Sequence, residues 1–193
     1  MPLALGGRAL AIARYLVLPL LCALAGVLAA GLSSSASATT LPSIAVEDGS
    51  TVTMANDTIT IDGSLGGPHA GRVVVANGSR LFLHNVSLTI VNAPNGGIWV
   101  GSSSLLDVNA SNLSGEAASP FLLTVTGGAV VELRRSQLVG LQALFDLAAP
   151  GILVEAGGTL RASNSTLRVR PDVRPLLDAS LATVEFTACA VTG

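Results

Sequence analysis

Asp107, Glu132 and Arg161 are separated by 25 and 29 residues, and each sits in a similar aliphatic string. Two carboxylates held about 5 Å apart could bind Ca²⁺, or raise one pKa enough for general-acid work. A neighbouring guanidinium could neutralise an acidic sugar or assist a lyase base. The bland reading is a solvated charge ladder in which Arg161 pairs with Glu132 and with Glu185, 24 residues further on. Either reading needs a chain that repeats at this period and stacks these residues in one column.

The chain does repeat. Gly49-Ser50-Thr51-Val52-Thr53-Met54-Ala55-Asn56-Asp57-Thr58-Ile59 matches Gly78-Ser79-Arg80-Leu81-Phe82-Leu83-His84-Asn85-Val86-Ser87-Leu88 position for position. Taking the first aliphatic as anchor, the series is Val52, Leu81, Leu106, Val131, Leu160 and Val184, at spacings of 29, 25, 25, 29 and 24. Two residues after each anchor stand Met54, Leu83, Val108, Leu133, Ala162 and Phe186. Seven after stand Ile59, Leu88, Leu113, Leu138, Leu167 and Val191. Prolines punctuate the stretches between copies at Pro68, Pro94, Pro120, Pro150, Pro171 and Pro175, as expected where the chain leaves a ladder. Short apolar runs follow the corners, as at Val73-Val74-Val75 and Ile98-Trp99-Val100.

Anchor and anchor-plus-two share one strand face, and a bend near Asn56, Asn85 and Asn164 turns anchor-plus-seven inward again. Asparagine suits such a bend because it tolerates the left-handed conformation. Helical repeats do not fit a chain rich in valine, threonine and glycine turns with proline at the corners. The expectation is an all-β fold, a parallel β-helix or solenoid of about six coils of 24–29 residues, preceded by a signal-peptide helix. The outward position after each anchor forms the column Thr53, Phe82, Asp107, Glu132, Arg161 and Glu185.

The Gly-Ser-x-Leu-x-Leu-x-Asn-x-Ser-Leu coil, over residues 49–193, resembles the right-handed parallel β-helix of the pectin-lyase-like superfamily. That resemblance implies a fold shared with polysaccharide lyases and hydrolases. The string from Asn77 to Pro94, behind a signal peptide, is similar to the dispersed-gene-family surface proteins of kinetoplastid parasites, which are long repetitive surface glycoproteins. This second resemblance implies an N-terminal fragment of such a protein.

Composition sets the remaining bounds. Of 193 residues, 50% are hydrophobic, 11% charged and 3% aromatic, which excludes a disordered chain. Ten arginines, no lysine and twelve acids give a net charge of −2, too little positive field for a nucleic-acid partner. Arg8 and Arg14 precede an apolar run from Tyr15 to Leu32, and Ala36-Ser37-Ala38 supplies a small-x-small site. This order predicts a signal peptide over 1–38 with cleavage before Thr39, an uncleaved anchor being the competing reading. Residues 39–48 read as a lead-in and 49–193 as the solenoid, truncated at its C-terminal end directly after a core position. Membrane contact is expected only through the signal peptide or an anchor outside this chain. Cys22 and Cys189 have no metal-ligand spacing, and no metal or cofactor is expected.

Six of the eight asparagines open an Asn-x-Ser/Thr triplet: Asn56, Asn77, Asn85, Asn109, Asn112 and Asn164. With a secretory signal, these are expected glycan acceptors, Asn77, Asn109 and Asn112 being better placed than the three at the bend. His69 and His84 lack a nucleophile at a recognisable spacing. Arg168-Val169-Arg170-Pro171-Asp172-Val173-Arg174 and Arg134-Arg135 could contact acidic glycans or simply face solvent, and Trp99 could stack on a sugar ring. The functional expectation is a secreted or cell-surface repetitive glycoprotein, non-catalytic, in adhesion to a glycan or to a host or matrix surface protein. The alternative is a carbohydrate-active enzyme, a polysaccharide lyase or glycoside hydrolase, using Asp107, Glu132 and Arg161.

Overall fold

The computed structural model describes residues 38–94, 96–116, 122–141, 151–169 and 177–192. Residues 1–37, within the segment read as a signal peptide, together with Pro120, Pro150, Pro171, Pro175 and the run Arg170–Arg174, lie outside the described residues. A first strand, β1 (Ala38–Leu41), precedes six rungs of three strands. These are β2 (Ile44–Val46), β3 (Thr51–Ala55) and β4 (Thr58–Asp62), then β5 (Arg72–Val75), β6 (Arg80–His84) and β7 (Ser87–Val91). Next come β8 (Gly97–Val100), β9 (Leu105–Asn109) and β10 (Asn112–Gly115), then β11 (Leu122–Val125), β12 (Val130–Arg134) and β13 (Gln137–Leu141). The last two rungs are β14 (Ile152–Glu155), β15 (Thr159–Ser163) and β16 (Thr166–Val169), and β17 (Leu177–Ser180), β18 (Thr183–Thr187) and β19 (Ala190–Thr192).

Corresponding strands pair in parallel from rung to rung, giving three sheets. Sheet I is β2-β5-β8-β11-β14-β17, sheet II is β3-β6-β9-β12-β15-β18, and sheet III is β1-β4-β7-β10-β13-β16-β19. The protein is a parallel β-solenoid. Its ladder begins ahead of residue 49. Ile44 and Val46 of β2 pair with Val73 and Val75 of β5 and are buried, so the segment read as a lead-in carries solenoid strands. Its one alternation, Ile44-Ala45-Val46, is too brief to stand out as a copy.

The register follows the repeat. Val52, Leu81, Leu106, Val131, Leu160 and Val184 are successive partners in sheet II. Ile59, Leu88, Leu113, Leu138, Leu167 and Val191 are successive partners in sheet III. Leu81, Leu106, Val131 and Leu160 are fully shielded from solvent, each such burial stabilising the fold by about 1.5–3 kcal/mol. Three sheets converge on one narrow interior, which Leu, Ile, Val and Ala fill without large rings.

The bend from sheet II to sheet III is left-handed in every rung, at Asn56, Asn85, Ala110, Arg135, Asn164 and Ala188, with φ between 49° and 58°. Asparagine relieves the cost of that conformation in three of them, whereas Ala110, Arg135 and Ala188 bear it without such help. A second device fixes the bend from inside. Val86 N–H donates to Ser111 Oγ (2.9 Å), Ser111 N–H to Ser136 Oγ (3.2 Å), and Ser136 N–H to Ser165 Oγ (3.1 Å). Each of these hydroxyls also donates to the carbonyl two residues back, and Cys189 Sγ repeats that bond to Thr187 O at 3.4 Å. Buried backbone N–H groups at the bend thus find acceptors on the next rung.

Replacing Ser136 by Ala strips the Ser111 N–H of its hydroxyl acceptor and should destabilise the protein by about 1–3 kcal/mol in urea unfolding. A loss below about 0.3 kcal/mol would show that the serine column carries no weight.

Candidate functional site

The outward face of sheet II carries the charged column. Phe82 pairs with Asp107, Asp107 with Glu132, Glu132 with Arg161 and Arg161 with Glu185 along the ladder. Arg161 Nε donates to Glu185 Oε2 at 3.1 Å, and its Nη1 lies 3.9 Å from Glu132 Oε1. These are the contacts of the ladder in which one arginine serves two acids.

Arg134 adds a second link. It stands two residues after Glu132, and side chains two apart on a strand share a face. Its Nη2 donates to Asp107 Oδ2, and its Nη1 lies 3.7 Å from Glu132 Oε2. The hydrogen bond to Asp107 pushes the Arg134 guanidinium above its ordinary pKa, against the opposing effect of burial and with added attraction from the Asp107 and Glu132 charges. Signs therefore alternate from Asp107 through Arg134, Glu132 and Arg161 to Glu185.

Asp107 departs from the expectation of an outward, solvated carboxylate. It is only 6% exposed, its Oδ2 is held by Arg134, and its buried Oδ1 has no hydrogen-bond partner. Glu132 has a guanidinium on either side. The geometry is that of a cross-rung ion-pair ladder spanning the third to the sixth rung. The sequence signal for Arg134 was its two-residue offset from Glu132, hidden because the pair Arg134-Arg135 reads as a basic patch.

The asparagines that open the six Asn-x-Ser/Thr triplets fall into two groups. Asn85 Nδ2 donates to Asn56 Oδ1 at 2.9 Å, and Asn109 Oδ1 accepts from Arg135 Nη2 at 3.0 Å. Asn77, in the turn from sheet I to sheet II with φ 56°, is exposed, as are Asn112 on β10 and Asn164 at the bend. The three bend asparagines stand at the surface and not inside the bend. On the outward face of sheet II the Phe82 and His84 rings lie nearly parallel with centroids 6.2 Å apart. His69 lies elsewhere, with Nε2 3.8 Å from Glu47 Oε1. Arg168 on β16 is exposed. In the corner after β4, hydrogen bonds from the Ser64 side chain and backbone, then from Asn92, hold the Asp62 carboxyl below its ordinary pKa.

Trp99 points outward from β8 in sheet I and is 36% exposed. It borders a shallow hollow lined by Arg72, Gly96, Gly97, Ile98, Leu122 and Thr124.

No protein-family model matches the chain, and no curated protein or solved structure is significantly similar to it.

The two arginines of the ladder should differ in weight. Arg134→Ala leaves the shielded Asp107 carboxylate without its cation and should cost about 2–3 kcal/mol, below the full value for a wholly buried pair because Arg134 itself is half exposed. Arg161→Ala, at an exposed position, should cost about 0–1 kcal/mol. Equal losses in urea unfolding would contradict this ranking.

Proposed function

We propose that this chain is a non-catalytic module of a secreted or cell-surface repetitive glycoprotein that acts in adhesion, through a glycan or a host or matrix surface protein. The observation that carries the reading is the fate of the outward carboxylates. A pair of carboxyl groups that substrate can reach is what hydrolysis or elimination at a sugar needs, whereas Asp107 is shielded and bound to Arg134, which leaves the partly exposed Glu132, flanked by two guanidiniums, without its partner. Extended in-register faces are what repeat proteins use to hold partners.

The resemblance of the coil to the pectin-lyase-like β-helix supports a sugar-facing ancestry for the fold. The resemblance to kinetoplastid dispersed-gene-family surface proteins supports a surface role. The apolar leader with its Ala36-Ser37-Ala38 site and the six glycan-acceptor triplets support passage through the secretory pathway.

The test uses the full chain expressed in a glycosylating eukaryotic host. Secretion into the medium, a fall in mass on deglycosidase treatment, and binding to cells or matrix without release of sugar fragments are the expected results. Retention in the cytosol or an unchanged mass would overturn the secreted glycoprotein. Cleavage of a polysaccharide that disappears in Asp107→Ala or Glu132→Ala would overturn the non-catalytic reading and favour a lyase or hydrolase.

A further inference from the structure

We propose that the outward face of sheet I, centred on Trp99, is the binding face of this module and that it takes a pyranose ring of a glycan. The proposal rests on the adhesive reading above and assigns it a place. Trp99 is the sole tryptophan, and its indole rests against Gly101. A Cβ added at Gly101 would fall 2.7 and 2.8 Å from two carbons of the indole, so the ring lies directly against the Gly101 backbone. Glycine at 101 is thus a requirement for the ring's position. Gly97 likewise admits no side chain, because a Cβ there would stand 2.5 Å from the Leu122 carbonyl oxygen, which keeps the floor beside the indole low. An indole fixed against backbone loses little rotamer freedom on binding, and its electron-rich face attracts the C–H groups of a sugar ring.

The surroundings fit a sugar better than a protein. One outward column of sheet I runs Ala45, Val74, Trp99, Thr124, Leu153 and Asp178, uncharged up to the last rung though Val74 is buried, and Arg72 and Glu155 are the exposed charges two residues to either side of it on β5 and β14. Six strands of about four residues offer an area of roughly 24 Å by 13 Å, or about 300 Å². A stable protein partner needs about 800 Å² on each side, whereas one ring stacked on the indole, with Thr124 and Arg72 on the rim of the hollow, needs far less. The glycan acceptors point the same way. Asn56, Asn85, Asn109, Asn112 and Asn164 lie on sheets II and III or the bend between them, and Asn77 lies in a turn. No strand of sheet I carries one, although Asn77 stands two residues after the end of β5.

The test screens the secreted full-length protein against immobilised neutral, sialylated and uronic-acid oligosaccharides of three to six rings. Those retained are then titrated in solution while the Trp99 emission is followed. Binding should shift the emission of this single tryptophan. Trp99→Ala should weaken affinity at least about tenfold, and Gly101→Ala should do so too by expelling the indole, each checked for a native unfolding transition. Trp99→Phe, which keeps a ring and the fold, should retain part of the affinity, and Gln137→Ala on sheet III should change nothing. Sugar binding that leaves the emission unchanged and survives Trp99→Ala overturns this site while leaving the adhesive reading intact. Retention of none of the sugars overturns the site too, and adhesion to a matrix protein would then leave the adhesive module standing with a protein partner.

Discussion

Parallel, in-register stacking of one rung on the next is the constraint from which the other features descend. Each strand satisfies its backbone groups only by lying over the equivalent strand of its neighbour. A side chain at a given repeat position therefore meets its own counterparts above and below, at about 4.8 Å. Inside, that rule builds unbroken rows of Leu, Val and Ile and a column of serines. At the bends it demands a left-handed residue in every rung, even where alanine or arginine must supply it. Outside, it forces whatever charges the repeats carry into one file, and the file is tolerable only if signs alternate.

The ladder from Asp107 to Glu185 is the consequence of that last demand. Like charges on the paired positions Asp107 and Glu132 would repel, and the chain answers with arginines at 134 and 161 that reach across rungs. The exposed end of this file contributes little to stability, whereas the end at Asp107 is withdrawn from water and depends on its partner. Most of the fold's stability comes from the apolar rows. The ladder adds to this by pairing Asp107, Glu132 and Glu185 with arginines across the rungs.

The rows and bends were legible in the sequence because they recur. Six anchors, their companions two and seven residues on, and the asparagines at 56, 85 and 164 all fall where the spacing puts them. Features that recur weakly were not legible. The first strands escape because β1 and β2 hold three or four residues each. The serine column escapes because its position is filled by Asp57 in the first rung, Val86 in the second and Cys189 in the last, and by serine only at Ser111, Ser136 and Ser165. The shielding of Asp107 escapes because it depends on a diagonal contact, from Arg134 on the next rung and two residues along, that alternation alone does not single out. Trp99 reads as outward from its neighbours Ile98 and Val100, but its fixed position against Gly101 is visible only in three dimensions.

Register is also the most direct point of test, since the charge ladder, the serine column and the outward column of sheet I all presuppose it. Cysteines placed at Thr60 and Thr89, ladder partners on the outward face of sheet III, can be oxidised in a background where Cys22 and Cys189 are replaced by serine. In-register stacking puts their Cα atoms about 4.8 Å apart, within disulfide reach, and predicts rapid cross-linking in the folded protein. Cysteines at Thr58 and Thr89, two residues out of register, should not cross-link. Cross-linking of the offset pair in place of the matched one would contradict the stacking and every column built on it.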